Sequence, residues 1–124
     1  RIMLAIKTVL AGRDEIDTLI FDEIDTGISG RTAWKVAEQL SVLSGAHQVI
    51  CITHLPQIAA MADVHFAIEK SSTDDMTITD IRKVADEESL AELARLLGSD
   101  ALTEAALSNA KEMKEQANAF KEVR

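Results

Sequence analysis

Two adjacent carboxylates, Asp22 and Glu23, close the apolar run Thr18-Leu19-Ile20-Phe21, and a third, Asp25, follows two residues later. A short run of bulky residues without polar alternation predicts a strand buried on both faces. The acids then stand at its carboxyl end, where ligands bind in an open parallel sheet. Neighbouring residues at a strand end point in different directions, so one can hold a metal while the other faces a water. A second continuous run, Gln48-Val49-Ile50-Cys51-Ile52-Thr53, ends at His54 and is followed by Leu55-Pro56. Proline at a first helical position has no N–H to leave unpaired, which predicts a helix from Pro56. Two parallel strands would bring Asp22, Glu23 and His54 to one edge of one sheet. Taken alone, an Asp-Glu pair after an apolar run also describes an ordinary solvated strand end, and a lone histidine is usually structural. The repetition of the strand-then-polar unit is what points to a site.

The elements needed to position these residues are legible along the chain. Ile2, Ile6, Val9 and Leu10 share a helical stripe that Gly12 would stop, and the first strand spans about Thr18 to Phe21. A loop over Thr26 to Gly30 precedes an amphipathic helix carrying Ala33, Val36, Ala37, Leu40 and Leu43, which ends near Gly45. Trp34 lies off that stripe and is expected half-exposed or packed at an edge. After the second strand and the helix over Pro56 to Met61, the β-α-β order predicts parallel strands with a right-handed crossover. The runs His65 to Lys70 and Met76 to Val84, joined by the turn formers at 71–75, predict a hairpin. Leu90, Leu93, Ala94 and Leu97 define a further helix with Asp86 near its start and Gly98 past its end. A last helix from Leu102 to about Glu122 carries Leu102, Ala106, Asn109, Met113, Ala117 and Phe120 at helical spacing, too short for a coiled coil.

Composition narrows the class. With 124 residues, 47% hydrophobic and 27% charged, the chain can fold as one globular domain and bury roughly two thirds of its unfolded surface. No apolar stretch approaches a membrane span, and no signal peptide is read. The single cysteine, Cys51, rules out an internal disulfide framework, suits a reducing compartment, and is expected to be buried filler in mid-strand. A net charge of −8, with basic residues scattered singly or in pairs such as Arg82-Lys83, argues against this chain being a main DNA-gripping surface. His47 and His65 are expected as surface or strand residues, and no Cys/His pair has zinc-like spacing.

The string Leu19-Ile20-Phe21-Asp22-Glu23-Ile24-Asp25-Thr26-Gly27-Ile28-Ser29-Gly30, together with Cys51-Ile52-Thr53-His54-Leu55-Pro56-Gln57-Ile58-Ala59, resembles the C-terminal ATPase lobe of the RecN family of SMC-like, ABC-type ATPases. The likeness takes in nearly the whole chain. Arg1 to Ala11 resembles the helix after the ABC signature loop, and Glu92-Leu93-Ala94-Arg95-Leu96-Leu97-Gly98 resembles the family's C-terminal region. The resemblance implies an α/β fold, the C-terminal lobe of a P-loop (ABC-type) ATPase head. In it, residues 1–124 form a single-domain fragment with a mostly parallel β-α-β sheet, a hairpin and C-terminal helices.

By that resemblance Asp22 and Glu23 form a Walker B pair, Asp22 binding Mg²⁺ through water and Glu23 polarising the attacking water. Asp25, Thr26, Gly27, Ile28 and Ser29 match the D-loop, which in that superfamily crosses a dimer interface. A glycine turn opening a helix with Ser29 as its cap accounts for the same residues, and Ser29 stands where the broader ABC pattern has aspartate. His54 matches the switch histidine that meets the γ-phosphate, with Gln57 as an outer neighbour. The implied cofactors are ATP and Mg²⁺. The implied partners are a Walker A-bearing N-terminal half of the same protein, a second head in an ATP-dependent homodimer, and DNA through the full-length protein, with no membrane. The implied setting is the bacterial cytoplasm at the nucleoid, and the implied role is recombinational repair of double-strand breaks within the SOS response.

None of the five glycines is followed by Lys-Ser or Lys-Thr, so the phosphate-cradling Walker A loop is not in this sequence, which also begins at Arg1 inside an apolar pattern. The expectation is a part of a longer protein that is inactive alone. Two other readings use the same residues: a metal-dependent phosphoesterase with Asp22, Glu23, Asp25 and His54 around Mg²⁺ or Mn²⁺, and a noncatalytic interaction module. Without phosphate-cradling amides, the 124-residue chain should neither bind ATP tightly nor hydrolyse it. Sub-micromolar ATP binding by calorimetry on the purified chain would contradict this.

Overall fold

The computed structural model describes residue 5, residues 15–98 and residues 101–124. The stripe residues expected of the first helix, Ile2, Ile6, Val9 and Leu10, lie outside the described residues. Strands β1 (Thr18–Asp22) and β2 (Gln48–Ile52) pair in parallel, with Thr18 opposite Gln48, Ile20 opposite Ile50 and Asp22 opposite Ile52. A parallel pair needs a crossover rather than a tight turn, and helix α1 (Gly30–Leu43) provides it. Its apolar positions recur at three- and four-residue spacing, and Ala33, Val36, Ala37, Leu40 and Leu43 are all buried. Trp34 is half-buried at the edge of this stripe. Helix α2 (Pro56–Met61) starts on Pro56, as its missing N–H permits.

Strands β3 (Phe66–Ser72) and β4 (Thr77–Lys83) form an antiparallel hairpin, Phe66 opposite Lys83 and Ser72 opposite Thr77. Its turn is tighter than the loop expected over 71–75, because Ser71 and Ser72 join the ladder. The Thr73 N–H and hydroxyl both bond the Met76 carbonyl, at 2.8 and 3.2 Å. Continued backbone pairing here outweighs the weak strand preference of serine.

A 3₁₀ turn (Asp86–Glu88) leads into helix α3 (Ser89–Leu96). Gly98, at φ 86°, ends it and donates to the Arg95 carbonyl at 3.0 Å, the glycine stop read from sequence. Helix α4 (Glu104–Val123) is capped by Thr103, whose hydroxyl accepts from the Ala106 N–H at 3.1 Å. This cap leaves Leu102 outside the helix and exposed. The buried stripe is Ala106, Ala110, Met113 and Ala117, so Ala110 takes the place expected for Asn109, which is exposed.

The core lies on one face of the parallel pair. Leu19 and Phe21 meet the buried side chains of α1 and α2, and Leu93 and Ala94 of α3 join Ala106, Ala110, Met113 and Ala117 of α4 in the same cluster. The other face is open, with Ile20 68% exposed and Ile50 and Ile52 also exposed. The expectation that β1 is buried on both faces is therefore corrected. An apolar residue at every strand position signals cover on both sides, but the described residues supply it on one. Among the described residues no helix is long and apolar enough to cross a membrane.

Leu93 is fully buried between α3 and the core. Leu93→Ala should lower stability by about 2–5 kcal/mol through lost transfer energy and a residual cavity. Ile20→Thr, on the open face, should stay within about 1 kcal/mol of the parent chain. Urea denaturation followed by far-UV circular dichroism measures both, and equal losses at the two positions would refute the one-sided core.

Candidate functional site

The parallel register decides what can meet. Because Asp22 pairs with Ile52 at the last rung, residues 23–25 and 53–54 leave the sheet side by side at its carboxyl end. Asp22 and Glu23 are both exposed there. Glu23 has φ 55°, the left-handed region that non-glycine residues rarely adopt and that costs about 1–3 kcal/mol. Thr26 fixes this turn: its N–H and its hydroxyl both bond the Glu23 carbonyl, at 3.3 and 3.0 Å. Gly27, at φ 71°, follows in a conformation glycine takes without strain, and the Ile28 N–H closes back on the Asp25 carbonyl at 3.2 Å.

Asp25 turns inward and is only 3% exposed. Its Oδ2 accepts from the Thr53 hydroxyl at 2.5 Å and from the His54 backbone N–H at 3.1 Å, and His54 Nδ1 lies 3.2 Å from the same oxygen. The Thr53 hydroxyl also accepts from the Leu55 N–H at 3.0 Å, just before Pro56. Burial pushes the Asp25 carboxyl up. The bonds from Thr53, from the His54 amide and from its own backbone, with the His54 ring beside it, overcome that and hold it below its ordinary value.

The residues expected from sequence therefore separate. Asp22, Glu23 and His54 share the sheet end and face solvent, as do Thr26, Gly27 and Ser29. Asp25 and Ile28 face inward, so Asp25 is a tie between the two strand ends rather than an outward contact. Ser29 occupies the position before α1, but its hydroxyl makes no capping bond; the left-handed Gly30 after it, at φ 53°, departs from regular first-turn geometry. Motif reasoning misses Thr53. Its signal is a hydroxyl directly before the histidine at a strand end. Gln57, on α2, has a buried Oε1 with no hydrogen-bond partner among the described residues.

The other histidines are distinct from this corner. His47 is buried, not a surface residue, with Nδ1 2.6 Å from the Ile16 carbonyl, because the turn before β2 folds it under the start of β1. His65 is half-buried, and burial lowers its pKa. The Cys51 thiol is pushed up to about 11 by burial and by the negative charges of Asp25 and Asp22, so it stays protonated and inert near neutrality.

Mg²⁺ keeps several waters and takes one or two carboxylates, so Asp22, exposed at the strand end, is a candidate ligand. Among the described residues no group of three or more His, Cys, Asp or Glu could hold a metal ion. The four-ligand arrangement that a phosphoesterase would need is not assembled, because Asp25 is engaged inside.

The lowered Asp25 carboxyl carries a pH signature. A depressed folded-state pKa contributes stability above the unfolded value, near 3.8, that is lost as pH falls through the folded one. Asp25→Asn should cost about 2 kcal/mol near pH 7, and the Tm gap to the parent chain should hold down to the unfolded value near 3.8 and narrow as pH falls below it. A gap that is constant from pH 7 to 3 would show that the Asp25 charge contributes nothing.

No family model matches the chain. It is 43% identical over 121 residues to DNA repair protein RecN of Halalkalibacterium halodurans, which covers 98% of this chain and 21% of that protein. It is 42% identical over 121 residues to RecN of Bacillus subtilis, with the same coverage. It is 50% identical over 113 residues to RecN of Treponema pallidum, covering 91% of this chain and 20% of the relative. The chain thus spans about a fifth of the length of the curated relatives it matches. Similarity that runs through the Asp22 and His54 corners at these identities makes the chain a segment of the RecN type.

Proposed function

We propose that this chain supplies the hydrolytic corner of an ABC-type ATPase head within a RecN-type DNA repair protein. The observation that carries the reading is the parallel register, which sets the Asp22-Glu23 strand end beside the Thr53-His54 strand end. Strain supports it as well. Backbone held in a sparsely populated region persists only where its surroundings over-determine it, and such residues cluster at active sites; Glu23 is the one non-glycine residue with positive φ among those described.

In this reading Asp22 helps hold Mg²⁺, which when bound neutralises phosphate charge. Glu23 accepts a proton from the attacking water at its exposed carboxylate. His54 meets the terminal phosphate with its exposed ring. The phosphate-cradling loop comes from another part of the complete protein, and Thr26, Gly27 and Ser29 face a second head in an ATP-dependent dimer. DNA is gripped chiefly elsewhere, since this segment carries a net charge of −8. The cellular setting is the bacterial cytoplasm at the nucleoid, in double-strand break repair during the SOS response.

The two neighbouring acids give the test. In the complete protein, Glu23→Gln removes the base but keeps size, so hydrolysis should fall by about 10²- to 10⁴-fold while ATP binding survives. The protein should then accumulate as an ATP-bound dimer on size-exclusion chromatography. Asp22→Asn should weaken Mg²⁺-dependent nucleotide binding as well as turnover. Normal single-turnover hydrolysis by Glu23→Gln would refute the assignment.

A further inference from the structure

We propose that Asp25 is a positioning residue for His54: it holds the imidazole by Nδ1, so that Nε2 is the ring nitrogen offered to the terminal phosphate of a bound nucleotide. The inference rests on the functional reading above and goes beyond it by assigning the ring's orientation, its tautomer and the residue that sets both.

Three contacts on one oxygen carry it. The bond from the His54 backbone N–H to Asp25 Oδ2, at 3.1 Å, fixes where His54 leaves β2. The approach of Nδ1 to the same oxygen, at 3.2 Å, fixes which edge of the ring turns inward. The Thr53 hydroxyl, at 2.5 Å, holds the carboxylate from the other side, so the acceptor cannot follow the ring if it rotates. The contrast in exposure is equally direct: the Asp25 side chain is 4% exposed and that of His54 is 75% exposed. The carboxylate belongs to the interior, and the ring projects from it.

The chemistry follows from donor and acceptor inventories. An ionised carboxylate only accepts hydrogen bonds, so the nitrogen facing it carries the proton. The Asp25 carboxyl is held ionised at neutral pH by the donors around it. A neutral His54 in this corner is therefore the Nδ1–H tautomer, with a lone pair on Nε2. On protonation both nitrogens become donors, and Nε2–H can donate to a phosphate oxygen. A solvated histidine without such a partner is free to place its neutral proton on Nε2. Asp25 thus decides which atom meets the ligand without touching the ligand itself, an arrangement like the outer partners that orient metal-bound histidines.

The test reads the tautomer and catalysis separately, in the complete RecN-type protein with ¹⁵N-labelled histidine rings. Long-range ¹H–¹⁵N spectra above the ring's titration range report which nitrogen is protonated. His54→Ala assigns the signal, and His47, whose Nδ1 faces the Ile16 carbonyl at 2.6 Å, serves as an internal Nδ1–H reference. The parent protein should show His54 as Nδ1–H. Asp25→Ala should move it towards Nε2–H and lower kcat for ATP by roughly 10- to 100-fold with KM little changed. Asp25→Asn keeps an acceptor oxygen and should recover the tautomer and part of the lost kcat, and Thr53→Val should leave the tautomer unchanged. An Nε2–H ring in the parent protein overturns the proposal without any variant being needed, and so does a tautomer indifferent to Asp25→Ala. If the tautomer switches while hydrolysis is unaffected, the positioning stands and the phosphate role of His54 falls.

Discussion

One buried carboxylate oxygen holds this corner together. Asp25 Oδ2 collects the Thr53 hydroxyl and the His54 amide across a sequence separation of 28 and 29 residues. The parallel ladder beneath it is two strands wide and five rungs long, and parallel pairing is slightly weaker per residue than antiparallel. Backbone pairing stops at Asp22 and Ile52, so nothing in the ladder itself fixes the path of the chain beyond those two residues. A charge taken out of water is costly unless donors replace its hydration. The demand of Asp25 for donors is therefore what keeps residues 53 and 54 beside residues 23 to 25, and removing either side would leave a buried group unsatisfied.

The helices carry that constraint outward to the C-terminus. Helix α2 begins two residues after His54, and the Thr53 hydroxyl reaches the amide of Leu55 just before it. At the other end of α2, cations from α4 occupy the last carbonyls: Lys114 Nζ lies 3.3 Å from the Ala60 oxygen, and Lys121 Nζ lies 3.2 Å from that of Ala62 and 2.7 Å from Asp63. Positive charge at a helix C-terminus complements the orphan carbonyls there. Arg124 adds contacts to the Ser41 backbone carbonyl and to the Ser41 and Ser44 hydroxyls at the end of α1. The last helix, whose alanine stripe looks weak by itself, fastens the ends of both helices that come after the site's loops.

Legibility in the sequence tracks the range of the interaction responsible. Strand and helix positions are readable because period and caps are local. Pro56 starts α2, Gly98 ends α3, and the run of β-branched residues marks β2. The shift of the α4 stripe from Asn109 to Ala110 is not readable, because the two are neighbours on the helix and it is packing into the shared core cluster that buries Ala110. The inward turn of Asp25 is hidden for the same reason. A motif places three carboxylates near one another and cannot say which finds donors 28 residues away. Open cover over Ile20, Ile50 and Ile52 is likewise beyond pattern, since apolar residues encode a need for cover and not its source.

Those three acids show how environment divides residues that composition treats as equal. Asp22 ends a regular strand at the last paired rung and keeps its carboxylate exposed. Glu23, the next residue, leaves the sheet through a left-handed backbone held by Thr26, so its side chain departs in a direction that strand geometry would not give. Asp25 is drawn beneath both by Thr53 and His54. Adjacent carboxylates sharing one environment would repel and compete for the same proton or cation. Strand end, strained turn and buried tie give the three acids different surroundings. In the function proposed above, the first serves a cation, the second a water and the third the histidine.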